Sequence, residues 1–279
     1  MKLLKNSLYI VSTPIGNLDD ITLRAIEVLK NCDIILCEDT RHSLKLLNHL
    51  KIKKKLISYH KFNEKKQINS IIKHINQGKI LSLISDAGTP LLSDPGRFLI
   101  NACIEKNIKI YPIPGVSSIT ASMSISGFSD KFLFYGFLPK NEGEIVKVLE
   151  KLSDYEFSQI FFIPAIKINY YLKKFKKYYS NRKLLIAREI TKIHEEYLRI
   201  DGANFEKFKK TMKGEVTLVV SEGQKHKIYF DEEKFINKAK IYLKKYSLKD
   251  TVELMMINEN ISKKKIYNLC IKLKNEKNY

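Results

Sequence analysis

The chain has 279 residues, with 50 Lys and Arg against 30 Asp and Glu and a formal net charge of +20, a balance that favours a polyanionic partner, nucleic acid first. No segment approaches the roughly 20 apolar residues of a membrane span, and the start, Met1-Lys2-Leu3-Leu4-Lys5-Asn6, lacks the long apolar core of a signal peptide. The cysteines, Cys32, Cys37, Cys103 and Cys270, have neither zinc nor redox spacing, so they read as small buried hydrophobes in a reducing cytoplasm, with no metal site.

Apolar runs at 8–11, 33–37, 55–58, 80–84 and 108–111 predict short buried strands. Helical periodicity separates them over about 22–30, 43–50, 64–76 and 117–126, with a further helix starting at Pro95, where proline suits a first turn. Alternation of this kind predicts a doubly wound parallel sheet, an α/β domain over 1–128. The segment Gly127-Phe128-Ser129-Asp130-Lys131 marks its end. Strands then follow at 133–137, 159–163, 184–188, 197–200 and 215–220 with only two or three helices among them. Several consecutive strands lack a crossover, so a second α/β domain over 129–229 should hold a mixed sheet. From about Phe230 the pattern is helical, giving a C-terminal segment over 230–279. Ser247 opens one helix, Ser262 is an N-cap for another, and 258–260 links them in a helix-turn-helix outline. Lys263, Lys264 and Lys265 at the start of the last helix suit RNA phosphates. A small helical cap fits the same pattern equally well.

Three turns follow strands of the first half: Thr13-Pro14-Ile15-Gly16-Asn17, Ser85-Asp86-Ala87-Gly88-Thr89-Pro90 and Pro112-Ile113-Pro114-Gly115-Val116-Ser117-Ser118. In a parallel sheet they open on one edge, where α/β proteins bind ligands. Small residues in such turns let a ligand approach the backbone. Much of the lysine excess suits solvated faces of a Lys-, Ile- and Asn-rich chain, so the sparse arginines are more telling. Arg24, Arg41, Arg97 and Arg188 lie in or beside the motifs, where a retained arginine suggests a need for its planar fork.

Taken together, the motifs resemble the tetrapyrrole methylase superfamily, and within it the ribosomal RNA small subunit methyltransferase I family. The match runs in order through Tyr9-Ile-Val-Ser-Thr-Pro-Ile-Gly-Asn-Leu-Asp-Asp-Ile-Thr-Leu-Arg24, Cys37-Glu-Asp-Thr-Arg-His42, Leu56-Ile-Ser-Tyr-His60 and Ser85-Asp-Ala-Gly-Thr-Pro-Leu-Leu-Ser-Asp-Pro-Gly96. It continues through Pro112-Ile-Pro-Gly-Val-Ser-Ser118, Gly136-Phe-Leu-Pro139, Ala187-Arg-Glu-Ile-Thr-Lys-Ile-His-Glu-Glu196 and Ser247-Leu-Lys-Asp250. One departure stands out: where the family usually has an aromatic pair followed by Glu-Ser-Pro, this chain reads Phe161-Phe162-Ile163-Pro164-Ala165.

The resemblance implies S-adenosylmethionine as methyl donor and a cytidine 2′-hydroxyl of 16S ribosomal RNA, in the small ribosomal subunit, as acceptor. It also implies a donor cleft between two α/β domains, and a homodimer. Family motifs map donor binding onto Asp86, Ala87, Gly88, Thr89, Ser117 and Ser118. On the acceptor side, Glu38 or Asp39 would orient or deprotonate the hydroxyl and Arg41 would grip a phosphate, although an Asp39–Arg41 or Glu38–Arg41 salt bridge is an equal alternative. Arg188 and Lys192 are the corresponding RNA-facing residues of the second domain, with Glu189, His194, Glu195 and Glu196 beside them. Two other readings remain: C-methylation of a corrinoid or sirohaem precursor, and a non-catalytic RNA- or DNA-binding protein.

Overall fold

The first five strands are β1 (Ser7–Val11), β2 (Ile34–Cys37), β3 (Lys55–Ser58), β4 (Ile80–Leu83) and β5 (Lys109–Ile113). They form an all-parallel sheet in the order β3-β2-β4-β1-β5. The structure is a computed structural model, and it describes residues 2–204, 206–209, 211–223, 232–258 and 263–275. Helices cover both faces of this sheet, which is why its strands are apolar almost throughout. Leu8, Ile34, Leu36, Leu81 and Leu83 pack on α3 (Glu64–Asn76) and α4 (Arg97–Glu105) through Ile71, Ile75, Leu99 and Cys103. Tyr9, Val11, Ile35 and Cys37 face α1 (Leu23–Asn31) and α2 (Thr40–His49) through Ala25, Val28, Leu29 and Leu47.

Three of the boundaries that differ from the sequence reading have a clear local reason. Helix α2 starts at Thr40, three residues earlier than the periodicity suggests, because the Asp39 carboxylate accepts the Arg41 backbone N–H at 2.8 Å and caps it. Helix α4 starts at Arg97 and not at Pro95, because Gly96 (φ +139°) first turns the chain through a conformation that side chains disfavour. Strand β5 runs on through Pro112 to Ile113, and an edge strand tolerates that proline.

The second sheet contains β6 (Phe132–Phe137), β7 (Ser158–Pro164), β8 (Lys183–Arg188), β9 (Glu196–Asp201) and β10 (Glu215–Val220). Its order is β6-β7-β10-β8-β9, with β6 and β7 parallel and the other pairs antiparallel. One face packs on α6 (Glu142–Ser153) and α7 (Ile168–Tyr178) around Phe161, Leu172, Phe175 and Leu218. Ile160, Leu185 and Val219 on the other face pack on Ile119 of α5 (Ser118–Ser124). That helix follows the last strand of the first sheet and buries its apolar side on the second. It thus carries the Gly115-Val116-Ser117 turn to the place where both sheets contribute residues.

Both sheets belong to one compact unit, Met1–Gln224, and the second unit is Lys225–Tyr279. In the latter, α8 (Glu232–Leu243), α9 (Leu248–Asn258) and α10 (Lys263–Asn275) enclose Phe235, Ala239, Val252, Met255, Ile266 and Cys270. Ser247 caps α9, its Oγ accepting the Asp250 N–H at 3.2 Å. Residues 259–262, Ser262 among them, lie outside the described residues. Among the described residues no helix is long and apolar enough to cross a membrane.

Candidate active site

The turns after β1, β4 and β5 are tied into one structure. Thr13 and Gly88 exchange both backbone hydrogen bonds, at 2.9 and 3.0 Å, in an isolated antiparallel bridge. Ser12 Oγ lies 2.9 Å from Thr89 Oγ1, whose hydroxyl donates to the Val116 carbonyl at 3.3 Å. Ser85 Oγ donates to the Ala87 and Gly88 carbonyls, both at 3.2 Å. Gly88 has φ +77°, and a Cβ there would stand 3.3 Å from the Ile15 side chain. At Gly115 a Cβ would come within 2.7 Å of Ser12. The glycines therefore let three turns close on one another at the carboxyl edge of the sheet.

A cavity of about 450 Å³ opens beside these turns. Asp86, Ala87, Gly88, Thr89, Ser117 and Ser118 all line it, so the six donor-side residues expected from the sequence are together. The second sheet adds Phe137, Phe162, Ile163, Ala187 and Val216, giving an apolar wall opposite the polar turns. Ile163, at the position where the family resemblance implies Glu, is buried in that wall. The hydroxyls of Thr89 and Ser117 serve the turns themselves, Ser117 as the N-cap of α5, accepting from Ile119 N at 3.3 Å.

A second, more open crevice of about 490 Å³ is lined by Glu38, Asp39, Thr40, Arg41, Ser58, His60, Lys61, Phe62 and Asp86. Asp86 is common to both cavities. Its Oδ1 accepts the Asp39 N–H at 3.2 Å, which fixes the turn after β2 against the turn after β4. Of the two salt bridges open from sequence, Asp39–Arg41 forms: Arg41 Nη2 and Nε lie 2.7 and 3.1 Å from the carboxylate. Those bonds, with the backbone bond from Arg41, hold the Asp39 carboxyl well below the usual range and make it a poor proton acceptor. Glu38 behaves oppositely. Burial, followed by the charge of Asp86, raises it, with His60 opposing.

The sequence reading passed over Asp94, which lines the first cavity, beside the 85–90 turn. Burial pushes its carboxyl up to about 7, helped by the charges of Glu38 and Asp86 and opposed by a hydrogen bond with Ser85. Its segment is held in an unusual path, with Leu91 at φ +73° and Ser93 at φ +74°. The Gly96 N–H then donates to the buried Glu64 carboxylate at 3.3 Å.

The remaining expected residues have mixed placements. Arg188 clips β8 to β9 and to a loop, with Nε 3.0 Å from Glu196 and Nη1 3.0 Å from the Lys213 carbonyl. Lys192 lines the first cavity with its Nζ 3.0 Å from Glu189 and 2.9 Å from Glu215. Burial works against its charge, and those two hydrogen bonds outweigh it, so its pKa is raised. Both cations are thus engaged with protein groups. His194 is exposed. Lys263, Lys264 and Lys265 open α10, and their side chains lie outside the described residues.

Comparison with known proteins fits this geometry. The family model of the Tetrapyrrole (Corrin/Porphyrin) Methylases matches residues 7–204. A ribosomal RNA small subunit methyltransferase I from Rickettsia prowazekii is 42% identical over 278 residues, covering 98% of this chain and 99% of that protein. One of the same name from Mesomycoplasma conjunctivae is 42% identical over 233 residues, 83% of this chain and 98% of the relative. Among solved structures, the methyltransferase CobJ superposes with a TM-score of 0.60 at 14% identity, covering 78% of this chain and 94% of that one. Uroporphyrin-III C-methyl transferase from Thermus thermophilus, complexed with S-adenyl homocysteine, gives 0.56 at 15% identity, covering 77% and 97%. At such identities the structures speak for the fold alone. The sequence matches go further: the chain belongs to the ribosomal RNA small subunit methyltransferase I family of the tetrapyrrole methylases.

Proposed function

We propose that the protein transfers a methyl group from S-adenosylmethionine to the 2′-hydroxyl of a cytidine in 16S ribosomal RNA, acting on the small subunit. The observation that carries this reading is the end-to-end likeness, at 42% identity, to a relative named for small-subunit ribosomal RNA methylation. The cavity suits the donor: its volume of about 450 Å³ falls among small-molecule sites. Apolar residues on one side and the backbone of 86–88 with Ser118 on the other suit an adenosine and an amino-acid tail respectively.

When bound, the donor supplies an electrophilic methyl group on a sulfonium. The chain's task is to hold the acceptor hydroxyl in line and to receive its proton. Holding reacting groups in near-attack geometry contributes about 7–11 kcal/mol, so positioning carries most of the acceleration. A general base adds roughly 10²–10⁴ in rate. Asp94 is the carboxylate suited to that role: it lines the cavity beside Asp86, and burial with the neighbouring carboxylates pushes it up to about 7, near neutral pH. Glu38 and Asp86 then hold the basicity up, and the paired Asp39 shapes the crevice.

Within the crevice the Glu38 and Asp86 carboxylates suit a ribose, whose hydroxyls can donate to them, with Arg41 and Lys61 beside them for the flanking phosphates. Incubation with methyl-tritiated S-adenosylmethionine tests the choice of acceptor. Label should enter the RNA of small subunits purified from a strain lacking this gene, and none should enter a reduced uroporphyrin. Labelled macrocycle with unlabelled RNA would overturn the reading.

A further inference from the structure

Phe62 is 90% exposed, yet its segment is firmly held. Its own N–H donates to His60 Nδ1 at 3.2 Å, and His60 N–H donates to Asn63 Oδ1 at 2.8 Å. Asn63 Nδ2 in turn donates to the Ser58 carbonyl at 3.0 Å. A large apolar ring presented to water on a fixed backbone is a surface awaiting a partner, and it lines the crevice that shares Asp86 with the donor cavity. A second exposed aromatic, Phe98, stands on the adjacent helix with the Lys65 ammonium 4.7 Å from its ring centroid. The hydrogen bond from Gly96 to Glu64 joins the start of α4 to the start of α3. In a parallel sheet, the helix starts that follow β3 and β4 lie on the same edge as the turns, so Phe62 lines the crevice itself and Phe98 stands towards the same edge on the neighbouring helix start. Lys61 and Arg97 are exposed beside them. Among the described residues, none of Lys61, Lys65 and Arg97 is paired with a carboxylate.

We propose that this rim is a stacking platform for single-stranded RNA flanking the reacting nucleotide, Phe62 and Phe98 taking bases while Lys61, Lys65 and Arg97 take phosphates. It deepens the methyltransferase reading and rests on it. Unpaired RNA is recognised by stacking splayed bases on aromatic faces, with cations along the backbone. A protein partner would find these rings equally apolar, but three cations interleaved with two aromatics match a strand of alternating bases and phosphates better. The rings also lie outside the turn network, so their removal leaves the donor cavity intact.

Two arms separate failure of this inference from failure of the activity. In the first, a single-stranded oligoribonucleotide carrying 2-aminopurine is titrated with the full-length protein. Stacking quenches its fluorescence, and Phe62→Ala and Phe98→Ala each weaken binding about 5- to 100-fold, while Phe62→Tyr stays near wild type. Replacing Lys61, Lys65 or Arg97 by alanine makes log K less steep in log salt by about 0.7 each. In the second arm, Phe62→Ala raises KM for small subunits by a similar factor with donor affinity unchanged. Quenching without any methyl transfer by the wild type sustains the platform and sinks the activity. Methyl transfer with Phe62→Ala and Phe98→Ala indistinguishable from wild type in both arms overturns the platform. Loss of subunit binding alone, with the oligoribonucleotide bound normally, assigns the rim to a ribosomal protein and overturns it equally.

Discussion

Asp94 offers a sharp test, because its environment predicts both a pH dependence and that dependence's response to mutation. With a pKa of about 7, it is about one-tenth ionised at pH 6 and about nine-tenths at pH 8. The single-turnover rate on small subunits, with saturating donor, should therefore rise about tenfold across that interval and then level off. Asp94→Asn should lose the inflection and about 10²–10⁴ in rate. Glu38→Gln removes one of the two neighbouring charges that raise Asp94, so the inflection should move to lower pH. The same linkage has a sign for stability. The folded state holds the proton above an ordinary aspartate pKa of about 4, so the associated stability is complete below that value and is lost as pH rises towards 7. Asp94→Asn should then melt above the wild type at pH 8, with the difference narrowing towards pH 4. An Asp94→Asn enzyme that keeps the wild-type inflection would refute this reasoning.

Four further outcomes follow from the same geometry. Ala87→Leu, at an exposed position lining the proposed donor cavity, should lower donor affinity at least about tenfold by calorimetry with an unchanged circular dichroism spectrum; unchanged affinity would remove the donor from that cavity. Gly88→Ala should cost about 1–2 kcal/mol in urea denaturation, since φ +77° disfavours any side chain there, and wild-type stability would contradict the strain. Arg41→Lys should slow methylation as far as Arg41→Ala does while sparing donor binding, because the two-contact fork on Asp39 is lost in both; full activity of the lysine variant would show that charge alone suffices. Removing 225–279 should preserve donor binding and make the salt dependence of subunit binding shallower by about 0.7–0.9 per lost phosphate contact, whereas an unchanged slope would make the helical unit a cap.

The parallel sheet and the convergence of turns on one edge were legible because β1, β4 and β5 each run straight into a Gly- and Pro-bearing turn, a local signal. The same locality explains the misplaced helix starts. The sequence reading began α2 at Ser43, whereas Asp39 spends its carboxylate on capping the helix at Thr40 and pairing with Arg41. Ser117 similarly caps α5, although it also borders the cavity where the donor motif placed it. Asp94 was missed for a different reason. Its basicity comes from burial together with Glu38 and Asp86, carboxylates supplied by two separate turns, and no spacing in the chain announces that meeting. The apolar wall from β6, β7, β8 and β10 was equally hidden, since Phe162, Ala187 and Val216 look like any other strand residues until the second sheet closes on the first.

The central claim is that the methyl group ends on a ribose oxygen of a small-subunit cytidine. Small-subunit RNA from a strain lacking this gene, treated with the purified protein and donor, can be digested to nucleosides and resolved by mass spectrometry. The account predicts a new 2′-O-methylcytidine, with the added methyl mass retained on the ribose fragment. A methyl group retained on the base fragment, or no added methyl on the RNA at all, would contradict it.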